Sequence, residues 1–183
     1  MARLVNSVGA LLLSKGILKQ DDLDVFVYGL DTILFSLVSI FSLLALGMIT
    51  RLFVETLLCM LAFISLQTTG GGYHAKTHFR CYLTTVTGWA IAMLLSRILP
   101  IWAAALFMLQ GCVAVFRYAP IEHANAPMST EKKKRMRAYA RLICVVLTLS
   151  AIAISVFRLD LSIAVAAGIG VYGLSANTAY LLK

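Results

Sequence analysis

Charge is scarce in this chain. Only 13% of its 183 residues are charged, whereas 61% are hydrophobic, and the mean hydropathy is +0.90. A soluble domain carries about 25% charged residues, so this sequence cannot clothe a water-facing surface and is expected in a bilayer. The two-residue alternation of apolar and polar side chains that a membrane barrel requires is also missing. That leaves helices, the other backbone able to satisfy its own hydrogen bonds in hydrocarbon. No repeat or low-complexity tract is visible, and no soluble domain fits beside the apolar runs. The four cysteines, Cys59, Cys81, Cys112 and Cys144, have neither disulfide-framework nor Cys-x-x-Cys spacing. A formal charge of +8 without a basic face of interleaved aromatics excludes nucleic acid as a partner.

What is present is a series of apolar stretches. They predict an all-α integral membrane protein in a single domain, with spans near 26–49, 52–67, 82–99, 101–117, 139–157 and 161–181. The second and third are short enough to be tilted or re-entrant. Before them, residues 1–22 lack the unbroken apolar core and cleavage site of a signal peptide. Leu4, Val8, Leu11, Leu12 and Leu18 share one helical face there, with Arg3, Ser7, Ser14 and Lys15 largely off it. That pattern predicts an amphipathic helix in the membrane interface. Asp31, near the start of the first span, is expected to face the protein interior, since a carboxylate in lipid is costly.

Six spans put Arg3, Lys15, Lys19, Lys76, Arg80, Arg117, Lys132, Lys133, Lys134, Arg135, Arg137, Arg141 and Lys183 on one side, and Arg51, Arg97 and Arg158 on the other. By the positive-inside rule, both termini and the segments 68–81 and 117–138 are cytoplasmic. The basic run near 132–137 is expected to touch anionic lipid.

The segment TTGGGYHAKTHFRC at 68–81 gathers three glycines, two histidines, two cations and a cysteine. A thiol reacts as its thiolate, which imidazolium, cations and a helix N-terminus all favour. Cys81 has each nearby: His74 and His78, Lys76 and Arg80, and a place in the first turns of the third span. On a straight helix His74 would sit about 10 Å along the axis from Cys81. Pairing those two therefore requires a bend, which the glycines before His74 permit. His78, three residues away, reaches without one, and helical spacing alone favours it. The same residues also resemble metal ligands, since imidazole and thiolate both bind zinc. However, no fourth ligand is apparent, and Ala75 stands where a HExxH site needs glutamate. No metal or cofactor is therefore expected, and a metal site at His74, His78 and Cys81 stays as an alternative. A second alternative is a non-enzymatic membrane protein that binds or transports peptides.

The stretch GGYHAKTHFRC resembles the signature of the accessory gene regulator B (AgrB) family, membrane peptidases that process precursors of quorum-sensing peptides. YGLD at 28–31, RYAPIEHANAP at 117–127 and EKKKRMR at 131–137 fit the same family. The resemblance covers most of the chain. It implies His74 as the catalytic base and Cys81 as the nucleophile, with Gly71 and Gly72 as the glycines before the histidine. Gln67 occupies a position where the family often has arginine, so Gln67 or Arg80 would supply the polar contact that cation makes. Asn125 is a possible third member of the site. Lys132, Lys133, Lys134, Arg135 and Arg137 would hold the acidic tail of a short precursor. The N-terminal helix could pair with that precursor's amphipathic leader. The resemblance further implies a homodimer in a bacterial cell membrane. Its reaction is cleavage through an acyl-enzyme thioester, followed by closure to a thiolactone or lactone.

Overall fold

The structure, a computed structural model, describes residues 2–73, 77–98, 100–122 and 128–181. Among these residues everything regular is helical: α1 (Ala2–Ser14), a short 3-10 turn at Gln20–Asp22, α2 (Leu23–Ile49), α3 (Phe53–Gly70), α4 (His78–Ile98), α5 (Ile101–Tyr118), α6 (Thr130–Ser155) and α7 (Leu159–Leu181). Six of them, α2 to α7, are long and apolar enough to cross a membrane. Even α3, at 18 residues, rises about 27 Å, close to the hydrocarbon thickness of about 30 Å.

The centre of the bundle is α7. Its residues Ala164, Val165, Ala166, Ala167, Gly168, Ile169 and Gly170 are all buried, as are Tyr172, Gly173 and Ala176, and the helix packs against α3, α4, α5 and α6. Without a hydrophobic force between helices in lipid, close approach of backbones must supply the attraction, and that needs small residues. A Cβ on Gly168 would collide with the Cys59 carbonyl, and one on Gly111 of α5 with the Ile169 carbonyl. The outer helices do the reverse. Phe41, Ile49, Trp102, Leu142, Val156 and Phe157 point their large side chains outward, as a lipid-facing surface requires.

The polar residues inside are hydrogen-bonded between helices. Trp89 Nε1 of α4 donates to Thr56 Oγ1 of α3 at 3.1 Å, and Ser162 Oγ of α7 donates to the Ala151 carbonyl of α6 at 2.7 Å. Asp31 is half-buried, consistent with an inward orientation. The α2–α3 connection closes on Arg51 at φ 59°, with Leu52 N–H donating to the Gly47 carbonyl at 2.7 Å. That is the left-handed helix ending usually given to glycine.

Three boundaries differ from the sequence expectation. The segment 68–81 is not all loop: residues up to Gly70 complete α3, and α4 begins at His78. The segment 117–138 is not all loop either, since α6 starts at Thr130 and carries the basic run in its first turns. The N-terminal helix stops at Ser14. It also docks on α2: Val5 and Gly9 are buried, and a Cβ on Gly9 would meet Leu23 Cδ1 at 3.0 Å and Val27 Cγ2 at 3.2 Å. Leu11 stays 54% exposed, so part of the apolar face is left uncovered.

Candidate active site

The glycine run is a fixed passage. The last turn of α3 ends at Gly70, whose carbonyl accepts the Ile121 N–H at 2.8 Å, while Gly71 N–H returns to the Gln67 carbonyl at 3.1 Å. Gly71 lies at φ 68° and ψ −173°, a combination open to glycine alone. Each glycine is also required for space. A Cβ on Gly70 would strike the Tyr172 hydroxyl, one on Gly71 would lie 2.5 Å from the Ile121 carbonyl oxygen, and one on Gly72 would overlap Gln67 Oε1 and Ser175 Oγ. The chain then leaves α3 through Tyr73, whose N–H donates to Ser175 Oγ of α7 at 3.0 Å.

His74 follows at once. It lies outside the described residues, as do Lys76, His123, Asn125 and Lys183, and of His78 only the backbone is described. The described helix α4 begins at His78, three residues before Cys81.

Cys81 sits in the first turn of α4 as a free, half-buried thiol. Thr77 caps this helix: its Oγ1 accepts the Arg80 N–H at 3.3 Å, and its carbonyl accepts the Cys81 N–H at 3.0 Å. A helix start is the positive end of the peptide dipole and favours an anion such as thiolate. Cys81's carbonyl in turn accepts the hydroxyls of Thr84 and Thr85, each at 2.9 Å. The other three thiols are placed differently. Cys59 and Cys144 are buried, and Cys112 lies within α5, its sulfur 3.4 Å from Thr148 Oγ1.

Gln67 is turned toward the glycines and α7, its Oε1 accepting from Ser175 Oγ at 3.5 Å. Arg80 is exposed. The N–H groups of Cys81 and Arg80 are both engaged within α4, which removes them as free donors to a developing oxyanion.

The basic run stands at the same end of the bundle. Five cations in the first turns of α6 oppose that helix's own dipole, so their partners must lie elsewhere. Ser129 caps the helix, accepting the Lys132 N–H at 3.3 Å. Lys133 Nζ pairs with Glu122 at 2.8 Å. Arg137 Nε donates to the Ala119 carbonyl at 3.2 Å, and Arg141 donates to the Phe116 carbonyl at 3.0 Å. These two arginines satisfy the bare carbonyl end of α5, where a helix needs donors. Lys132, Lys134 and Arg135 remain exposed. Beside them is a shallow recess of about 200 Å³ lined by Arg117, Tyr118, Ile121, Lys133, Arg137 and Tyr180. The Tyr118 and Tyr180 rings meet at 4.4 Å, which joins the end of α5 to the end of α7.

Sequence reasoning gave no role to Ser175 or Tyr172, and took in Arg117 and Ile121 only as part of the RYAPIEHANAP stretch and, for Arg117, of the basic side. A polar serine inside an apolar span was a visible signal; its partner a hundred residues away was not. The cap at Thr77 was not read, because the third span was expected to start at 82, whereas α4 starts at His78.

Comparison with known proteins agrees with this layout. The family model described as Accessory gene regulator B matches residues 4–176. Among curated proteins, an AgrB-like protein 2 of Clostridium perfringens (strain 13) is 26% identical, covering 61% of this chain and 56% of its own length. An AgrB-like protein of C. perfringens (strain SM101) is 23% identical over the same shares. The chain thus spans a little over half the length of these relatives. No solved structure matches it. The extent of the family match, from α1 nearly to the end of α7, leaves one assignment: the chain belongs to the accessory gene regulator B family.

Proposed function

We propose that this protein is a multi-pass bacterial membrane cysteine endopeptidase that processes a short autoinducer precursor for quorum sensing. The observation that carries the proposal is the position of Cys81. It is a half-buried thiol in the first turn of α4, at the bundle end where the fixed glycine passage delivers the chain to His74.

In this reading His74 accepts the Cys81 proton, and the thiolate attacks a peptide carbonyl of the precursor. The tetrahedral intermediate collapses, the C–N bond breaks, and the imidazolium returns its proton to the leaving amine. A C-terminal fragment departs, and the N-terminal fragment is held as a thioester. Where the precursor carries an upstream cysteine or serine, that side chain loses its proton to His74 and attacks the thioester. The ring closes as a thiolactone or lactone, and the Cys81 thiol is restored. Exchange of one thioester for another is nearly balanced, and the tethered nucleophile's high effective concentration lets it outrun water. Gln67 and the exposed Arg80 are the candidates for contact with the substrate carbonyl, and Asn125 for orienting His74.

The cations of α6 supply the complementary surface for an acidic tail. Lys132, Lys134 and Arg135 are open to solvent, whereas Lys133 and Arg137 are already engaged at the recess. The same surface suits anionic lipid. The positive-inside rule orients this end, with both termini, to the cytoplasm, and a homodimer is the family-level expectation.

The test compares precursor cleavage by Cys81→Ala, His74→Ala and His78→Ala proteins in proteoliposomes, with and without chelator. The proposal predicts no cleavage for the first two, retained cleavage for the third and indifference to chelator. Cleavage persisting without the Cys81 sulfur would reject the nucleophile, and equal loss at both histidines would reject His74 as the base.

A further inference from the structure

We infer that Ser175, on the central helix α7, is a positioning residue that sets where the chain leaves α3 and so holds His74 in register with Cys81. The inference rests on the proposed His74–Cys81 chemistry and adds a third element to it. Its hydroxyl accepts the Tyr73 N–H at 3.0 Å, one residue before His74, and donates to Gln67 Oε1 at 3.5 Å in the last turn of α3. Ser175 therefore closes a ring from Gln67 through its own oxygen to Tyr73, and the glycines form the fourth side.

Three features make that ring a register device. It is narrow, because a Cβ on Gly72 would lie 2.7 Å from Ser175 Oγ and still closer to Gln67 Oε1. It is anchored on the opposite side by Ile121 N–H on the Gly70 carbonyl. Finally, α7 is the most buried helix of the bundle, so the serine sits on the element least able to move. A catalytic base misplaced by about 1 Å loses on the order of 100-fold in rate, and the Tyr73 N–H held by Ser175 is one residue before that base in the chain. The hydrogen bonds of Ser175 go to Tyr73 and Gln67, so it acts through the backbone as a positioning residue.

The test is Ser175→Ala with three readouts: turnover, KM, and the pH profile of Cys81 alkylation by iodoacetamide, followed by mass on the Cys81 peptide. We expect turnover to fall at least about tenfold at unchanged KM. The pH profile of alkylation should depart from the parental one if His74 acts on that thiol. Ser175→Thr, which keeps the hydroxyl, should recover most of the turnover and the parental profile. Gly72→Ala should reproduce the departure by pushing the hydroxyl aside; it remains informative if the serine variants fold poorly. A parental profile in both Ser175→Ala and Gly72→Ala would overturn the inference. So would a loss of turnover in Ser175→Ala and Ser175→Thr alike, matched by a lower melting temperature and an unmoved profile. Cys81→Ala separates the two claims. If it still cleaves, the thiol chemistry itself is wrong; if it is inert while Ser175→Ala behaves as the parent, only the role of Ser175 falls.

Discussion

The glycine passage at 70–73 and the basic start of α6 stand at one end of the same bundle and are built on opposite principles. The first is buried and specified by shape: the three glycines fit against Tyr172, Ile121, Gln67 and Ser175 with no room for a single methyl group. The second is open and specified by charge, with Lys132, Lys134 and Arg135 exposed and Lys133, Arg137 and Arg141 holding partners among the described residues. A site that must align two side chains for proton transfer needs the first kind of construction. A surface that collects a flexible acidic segment or a lipid headgroup needs the second, because screened charges guide without fixing geometry.

Substitutions can break this contrast. The largest effect is expected for Cys81→Ala, which should lower precursor cleavage by at least about 10³-fold with unchanged precursor binding, read by product mass and equilibrium binding. Next is Gly71→Ala. It forces a φ of 68° on a residue with a Cβ and drives that carbon onto the Ile121 carbonyl. A loss of about 1–3 kcal/mol in stability follows, together with at least a tenfold fall in turnover, measurable by thermal unfolding in detergent and by cleavage. Replacing Lys132, Lys134 and Arg135 together with glutamine should leave turnover near parental. The precursor's KM should rise several-fold at low salt, with the difference shrinking as salt is added. A turnover loss as large as that of Gly71→Ala would show that the two regions are not separate in function. The smallest effect belongs to Thr77→Ala. Losing the cap on the Arg80 N–H costs about 1 kcal/mol and should lower melting modestly, whereas Thr77→Ser should be neutral.

How much of this could be read from sequence depends on how far apart the interacting residues lie. The six spans were legible because hydrocarbon thickness fixes their length, and the GGYHAKTHFRC stretch was legible as a local motif. Helix ends were less so. Hydropathy marks where lipid ends, and helices continue past that point. In α3, Thr68 and Thr69 read as loop, yet both threonine hydroxyls fold back onto the Ser65 carbonyl, at 3.1 and 2.9 Å, and the helix runs to Gly70. In α6, Lys132 to Arg137 read as loop because they are charged, although lysine and arginine are good helix formers and Ser129 caps them. The clamp on the glycines was invisible: Ser175 and Ile121 reach it from distant parts of the chain. Triple glycine suggested freedom, and the packing around it shows confinement.

The central claim is that the Cys81 sulfur carries the precursor's N-terminal fragment as a thioester. The direct measurement is the intact mass of the protein after incubation with a precursor whose internal ring-forming cysteine or serine is replaced by alanine, so that the acyl enzyme cannot close its ring. The account predicts a mass increase equal to that fragment less one water, located on the Cys81 peptide and discharged by hydroxylamine. Cleavage without any adduct, or an adduct on Cys59, Cys112 or Cys144, would contradict it.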